Sequence, residues 1–229
     1  MRQEGSLART HEGEPGLPRG RSRLPAARVR AAQRERIIRA IVAVVAENGY
    51  AAATIADVVR NAKVSRAAFY AHFSDKEDCF LEATQEGGRL MIGHIVAATH
   101  GLADDVSPEQ AMRVACRALL EFLIAEPAFA QVFYVEMPGA GRVARDRIDA
   151  SRHRFAHLNR AWHQRARAVD PSCPQVPEHA YLAAVGATTE LVRATVHSGR
   201  FDALAELEDS LVALHLALLA AKAWTKGTP

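Results

Sequence analysis

Cysteine is scarce in this chain: three residues in 229, at positions 79, 116 and 173. An odd number without CxxC spacing excludes a disulfide framework and a cysteine zinc site, and reads as buried thiols in a reducing compartment. Aromatic residues make up only 6%, and β-branched residues never form alternating runs, so a sheet protein is excluded in favour of helix. No apolar run approaches the roughly 18 residues that span a bilayer, and the first residues hold no apolar segment of the signal-peptide kind. A cytoplasmic protein that does not enter the membrane is expected.

Catalytic fingerprints are also missing. There is no nucleophile elbow, no P-loop and no dinucleotide glycine pattern. His153 and His157 stand four apart, but no carboxylate completes an HExxH pattern, and Arg152, Arg154 and Arg160 surround them. A solvated basic face is the better reading there. We therefore expect no enzyme, no metal and no cofactor.

What is abundant is alanine, leucine and arginine. The first two favour helix throughout, which gives an all-α fold. The net charge is only +3, yet Arg19, Arg21, Arg23, Arg28, Arg30, Arg34 and Arg36 crowd a stretch with one acid, Glu35. Residues 1–28, rich in Gly, Pro and Arg, carry too little apolar surface to offset ordering and read as a disordered basic arm. Within it "LPRGRSRLP", 17–25, resembles the AT-hook core that places arginines in a narrow minor groove, although such runs are also common in solvated tails.

Helix signals then follow one another closely. Residues 30–47 carry Ile37, Ile41, Val44 and Val45 on one stripe, and "NGY" at 48–50 stops them. In "TIADVVRNA" Thr54 and Asp57 have capping-box spacing. Ser65 caps a helix over 66–73, and Ser74 with Glu77 repeats the S-x-x-E signature before a longer helix toward residue 100. Further helices are predicted at about 108–125, 127–136, 140–168, 178–197 and 202–223, punctuated by Pro and Gly.

Two short helices, 54–62 and 66–73, joined by a tight turn have helix-turn-helix proportions. Phe69 and Phe73, at i and i+4, would anchor the second helix on the core, leaving Arg66, Ala67, Tyr70 and Ala71 outward. The stretch "TIADVVRNAKVSRAAFYAHFSDKEDCF" resembles the DNA-binding domain of the TetR family of bacterial repressors, over about residues 30–82. The resemblance implies a three-helix reading head at 29–82 and a C-terminal ligand-binding and dimerisation bundle at 83–229. It also implies that Thr54, Tyr70, His72 and Lys76 hold phosphates, while Arg66, Ala67, Ala68 and Ala71 lie against base edges and Ser65 sits at the cap between them. Lys63 stands where the family usually has the turn glycine; a left-handed lysine costs about 1–2 kcal/mol, which points to an adjusted turn, and its side chain could also reach a phosphate. Of the outward side chains only Arg66 can form a bidentate pair with guanine.

The family's dimers pair through their last two long helices. Here these carry a small-residue patch, Ala183, Gly186, Ala187 and Thr189, and a leucine stripe, Leu204, Leu207, Leu211, Leu214 and Leu218, which could equally serve the subunit's own core. Between head and interface, Met91, Ile95, Phe122, Phe129, Phe133, Met137, Phe155, Leu158 and Trp162 are candidates to line a pocket for a small apolar ligand, and each also fits a dry core. Glu190, in an otherwise apolar helix, could orient a polar ligand group or pair with Arg193. The expected function is a homodimeric regulator binding double-stranded operator DNA, a repressor released by a small molecule. The alternative is a ligand-blind DNA-binding protein whose bundle only dimerises.

Overall fold

The alanine- and leucine-rich sequence folds into helices, with no strand among the residues that this computed structural model describes, 5–8, 25–103 and 106–220. In chain order these are a 3₁₀ turn Ser6–Ala8, then α1 (Ala26–Asn48), α2 (Ile55–Ala62), α3 (Arg66–Tyr70), α4 (Lys76–Thr99), α5 (Pro108–Ala125) and α6 (Pro127–Gln131). After α6 the chain continues as a π-helical turn, Val132–Glu136, and a 3₁₀ turn, Met137–Gly139. It ends in α7 (Arg142–Val169), α8 (Glu178–His197), a 3₁₀ turn Asp202–Leu207 and α9 (Glu208–Leu219). No single helix among the described residues is long and apolar enough to cross a membrane.

Two compact units divide the chain. The first comprises the residues up to Arg89 together with Ala125–Ala144, and the second Leu90–Ile124 and the residues from Arg145 on. The boundary expected at 82/83 thus falls a little later, and α6 with its π turn folds with the N-terminal unit rather than with the bundle. The reason lies in the core: Phe129 of α6 is fully buried, like Ile37, Ile41 and Val45 of α1, Val58 of α2, Phe69 of α3 and Phe80 of α4. Gly87 of α4 makes room for it, since a Cβ there would sit 2.1 Å from the Phe129 ring.

Several expectations need correction. Helix α1 begins at Ala26, so residues 26–28 are not part of a loose arm. Residues 5–8 are also held: the buried carboxylate of Glu126 accepts hydrogen bonds from the Ser6 amide (2.8 Å), the Ser6 hydroxyl and the Leu7 amide (2.9 Å), and Ala8 is buried. The AT-hook-like stretch through residue 24 lies outside the described residues. Helix α3 stops at Tyr70 instead of 73, because its last turn tightens into a 3₁₀ bond from the His72 amide to Phe69 O (2.9 Å). The cap of α4 lies one residue later than Ser74/Glu77. Asp75 Oδ1 accepts from the Asp78 amide (2.8 Å), and Asp78 Oδ2 accepts from the Ser74 amide (3.0 Å).

The turn between α1 and α2 is the most heavily tied part of the first unit. Gly49, at φ 78°, ends α1. The Tyr50 amide donates to Glu136 Oε2 (2.9 Å), from the π turn. Lys76 Nζ donates to Tyr50 O (2.8 Å) and Ala53 O (3.0 Å) and lies 4.3 Å from the centre of the Tyr50 ring, which itself stacks on Phe80 at 4.6 Å.

In the second unit, the Arg117 guanidinium grips Glu208 through two bonds, 2.9 and 2.8 Å, joining α5 to the start of α9. Arg113 adds Glu208 and Asp209. Leu204 and Leu211 are fully buried beside Val192 of α8.

Two outcomes follow from this packing. Lys76→Met keeps the aliphatic stem but loses two charge-assisted hydrogen bonds, which should cost about 1.5–3 kcal/mol each at most; a lower urea midpoint without DNA present is the readout. Gly87→Ala should lose about 1–3 kcal/mol by overpacking against Phe129, checked by the same unfolding titration.

Candidate functional site

The helix-turn-helix is built from one reciprocal cap, one single cap and one strained residue. Thr54 Oγ1 accepts from the Asp57 amide (3.2 Å) and donates to Asp57 Oδ2 (2.6 Å), while the Thr54 amide reaches the same carboxylate at 3.3 Å. Hydrogen bonds from Thr54 and then Arg60 hold the Asp57 carboxyl below its usual range. Lys63 follows in the left-handed conformation, φ 52° and ψ 44°, so the turn keeps its left-handed residue without the glycine and is not adjusted as its cost suggested. It is the one non-glycine residue at positive φ among those described. Ser65 then caps α3, its Oγ accepting from the Ala68 amide (3.0 Å).

Helix α3 buries Phe69 and, just beyond its end, Phe73 is buried too. Their rings lie 5.8 Å apart. The opposite side leaves Arg66, Ala67 and Ala71 exposed and Tyr70 54% exposed, with Ala68 at the margin. The face available to a nucleic acid is therefore one guanidinium, one phenol and a strip of methyl groups.

Three predicted phosphate ligands are placed differently from one another. Thr54 is exposed, but its hydroxyl hydrogen points at Asp57, so only helix-end amides of α2 remain for an anion there. His72 is half-buried with Nε2 enclosed and without a partner. Burial, then the charges of Arg34 and Arg30, push its pKa down, so at neutral pH it is no cation. Lys76 spends two of its three hydrogens on backbone carbonyls, which makes it a clamp on the α1–α2 turn. Neither role is written in the local sequence, because α3 was expected to run on past His72 and because Tyr50 and Lys76 are 26 residues apart.

Positive charge comes instead from α1. Arg34 pairs with Glu82 (2.8 Å), and its guanidinium lies 5.6 Å from the centre of the Phe73 ring. Arg28 and Arg30 are carried on the same ordered helix.

The second unit contains a cavity of about 640 Å³. Its wall runs from Thr99, Leu102, Ala103 and Val106 to Pro108, Ala111 and Met112 of α5. Trp162, His163, Arg165 and Ala166 of α7, the 170–174 loop and His215, Leu216 and Leu219 of α9 complete it. One end is polar. His163 Nδ1 is 2.8 Å from the Tyr181 hydroxyl, and its Nε2 is 3.4 Å from Cys173 Sγ. His215 Nδ1 is 2.8 Å from Leu211 O. Burial lowers the pKa of both imidazoles, with Arg167 adding to the effect at His163. Burial raises the Cys173 thiol, and pushes Cys116 up to about 12.

Of the predicted pocket residues, only Trp162 lines this cavity. Phe129 and Met137 are buried in the first unit, with Phe133 stacked on Phe129 at 5.3 Å. In the second, Met91 and Ile95 are buried, Phe122 lies against His94 at 5.9 Å, and Phe155 packs on the core around Tyr181. Glu190 is exposed and pairs with Arg193 (2.8 Å). Large side chains fill space, so the opening appears where small ones, Ala103, Ala111 and Ala166, fail to fill it. The dimer candidates divide as well. Ala183 and Gly186 are exposed, Ala187, Thr189, Leu207, Leu214 and Leu218 are half-buried, and Leu211 is corrected to the subunit's own core.

Comparison with known proteins agrees with the geometry. Residues 37–83 match the family model of bacterial regulatory proteins, tetR family. None of the curated protein sequences matches the chain. Among solved structures, the fatty acid degradation regulator FadR from Bacillus halodurans superposes with a TM-score of 0.72 at 20% identity, over 83% of this chain and 96% of that one. FadR from Bacillus subtilis, solved in complex with stearoyl-CoA, gives 0.70 at 19% identity over 81% and 97%. A TetR-like regulator from Rhodococcus sp. RHA1 gives 0.63 at 24% identity over 87% and 100%. Residues 37–83 of this all-α chain are thus similar to the N-terminal domain of the tetR family of bacterial regulatory proteins, and the chain has the fold of solved regulators of that family.

Proposed function

We propose that this regulator acts as a repressor, binding double-stranded operator DNA as a homodimer and leaving it when a small apolar or amphiphilic molecule occupies the C-terminal cavity. The observation that carries the reading is the pairing of a capped helix-turn-helix, whose outward face is free of core duty, with a roomy cavity in a separate unit of the same chain. Arg66 is the base-reading residue: its guanidinium matches the two acceptors of guanine in the major groove. Tyr70, Ser65 and the amides at the start of α2 hold phosphates, which fixes register without reading sequence. Ala67, Ala68 and Ala71 give apolar contact, for instance to thymine methyls. Lys63 lies beside this face and adds charge. The exposed residues Ala183 and Gly186 of α8, with the half-buried Leu214 and Leu218 of α9, form the contact between protomers. Two-fold symmetry then sets two recognition helices about 34–36 Å apart, or a multiple of that.

Release needs differential affinity, since a ligand moves the equilibrium only as far as it prefers one state over the other. The likeness to a FadR structure holding stearoyl-CoA supports an acyl-bearing molecule as one class to try.

Selection of bound genomic fragments, followed by titration of the best one, tests the DNA half. Arg66→Ala should weaken binding about 10- to 100-fold and relax preference at one base position. Tyr70→Phe should weaken all sequences alike, by several-fold. Affinity and preference unchanged in both variants would refute the assignment.

A further inference from the structure

The cavity has a chemical polarity that limits what it can hold. His215 is 5% exposed and lines it. Its Nδ1 sits 2.8 Å from Leu211 O. A carbonyl oxygen can only accept, so Nδ1 carries the hydrogen and Nε2 of the neutral ring is left as a lone-pair acceptor. No described residue offers Nε2 a hydrogen. The other imidazole is different: His163 is closed on itself between Tyr181 and Cys173, and forms wall.

The buried part of the lining carries no charged side chain. The charged groups lining the cavity are Arg165 and Asp170, one of each sign and both exposed; the Asp170 carboxylate is already engaged by the Ser172 amide at 2.9 Å. Apart from Thr99, Ser172, Cys173 and His163, the remaining wall is apolar, with Leu102, Val106, Met112, Trp162, Leu216 and Leu219. An ionic headgroup buried beside His215 would lose its hydration, while the counter-charges of the lining, Arg165 and Asp170, are both exposed. An apolar body with one hydrogen-bond donor exchanges a hydrogen bond to water for one to Nε2, while its hydrocarbon part gains burial.

We propose that the cavity takes an uncharged amphiphile whose hydroxyl donates to His215 Nε2, its hydrocarbon part lying along the leucine, methionine and tryptophan wall. This rests on the cavity being the ligand site of the proposed regulator, and it adds the ligand's class. Protonating His215 would turn Nε2 into a donor and bury a charge. Because burial holds the pKa of His215 and of His163 below the ordinary imidazole value, affinity should be flat above neutrality and fall in acid.

Calorimetric or thermal-shift titration of the full-length protein at pH 8 with 1-decanol, its methyl ether and decanoate tests this. Decanol should bind, and bind about tenfold or more tightly than the ether, with decanoate weaker again. His215→Leu should erase the preference of alcohol over ether. His215→Gln, whose amide can donate to Leu211 O and still accept, should keep it. Equal binding of alcohol and ether by the wild type, tighter binding of decanoate, or no binding of decanol up to its solubility limit overturns the proposal. Operator affinity measured with and without decanol separates the two claims: a bound alcohol that leaves DNA binding unchanged upholds the ligand class and refutes release.

Discussion

The first unit depends on a single ammonium group. Lys76 Nζ holds the carbonyls of Tyr50 and Ala53 and lies over the Tyr50 ring, so the start of α4 is fastened to the turn between α1 and α2. That turn has few other ways to satisfy its backbone, since Gly49 has just broken α1 and Thr54 has not yet begun α2. A cation shared by two carbonyls and a π face is stronger than a neutral hydrogen bond and less screened than a surface pair. Once α1, α2 and α4 share this point, α3 has one place to lie, with Phe69 and Phe73 inward and Arg66 and Tyr70 outward.

The same turn receives Glu136, whose carboxylate accepts the Tyr50 amide. Glu136 ends a π-helical turn, a wider and less favourable winding than an α-helix and often found at functional positions. The chain reaches it through α5, whose first residues line the cavity and whose last residue, Ala125, begins the segment that folds with the reading head. Helix α4 is likewise covalently common to both units, with Lys76 at one end and Thr99 of the cavity wall at the other. The route through α5 is not one helix, because the chain breaks at Glu126, φ −122° and ψ 60°, before α6 and the π turn deliver Glu136 to the Tyr50 amide.

How much of this the sequence disclosed depends on the range of each interaction. The Thr54/Asp57 box, the Ser65 cap and the inward Phe69 and Phe73 are all decided within four residues, and all were legible; the left-handed Lys63 was not, since the cost of that conformation pointed to an adjusted turn. The α4 cap shifted by one residue because Ser74, Asp75 and Asp78 compete for the same amides, and spacing alone does not choose among them. Lys76 and Glu136 meet Tyr50 across 26 and 86 residues, where no local pattern points. The cavity was misread for a different reason. Aromatic residues mark where packing is good, so Phe129, Phe133 and Met137 pointed to a core. The opening is bounded by alanines that looked like ordinary helix formers. Leu211 belongs to the leucine stripe by period, yet its burial is set by the partners it faces.

The recognition face is poor in polar side chains, and the fold compensates by bringing charge alongside it. With Ala67, Ala68 and Ala71 on that face, only Arg66 and Tyr70 reach out from α3. The arginines at the start of the domain are on an ordered helix, α1, and the fields of Arg34 and Arg30 are felt at His72, next to the end of α3. Burial first, and then the charges of Arg34 and Arg30, lower the pKa of His72: an imidazolium there would be partly buried beside two guanidinium groups. Burial next to fixed cations is a poor setting for a titrating histidine but a favourable one for an approaching phosphate, since arginine keeps its charge at every physiological pH. On the proposed reading of this face, electrostatic attraction to a DNA backbone is thus independent of pH in this region, and sequence discrimination would rest on Arg66 and on the shape of the DNA.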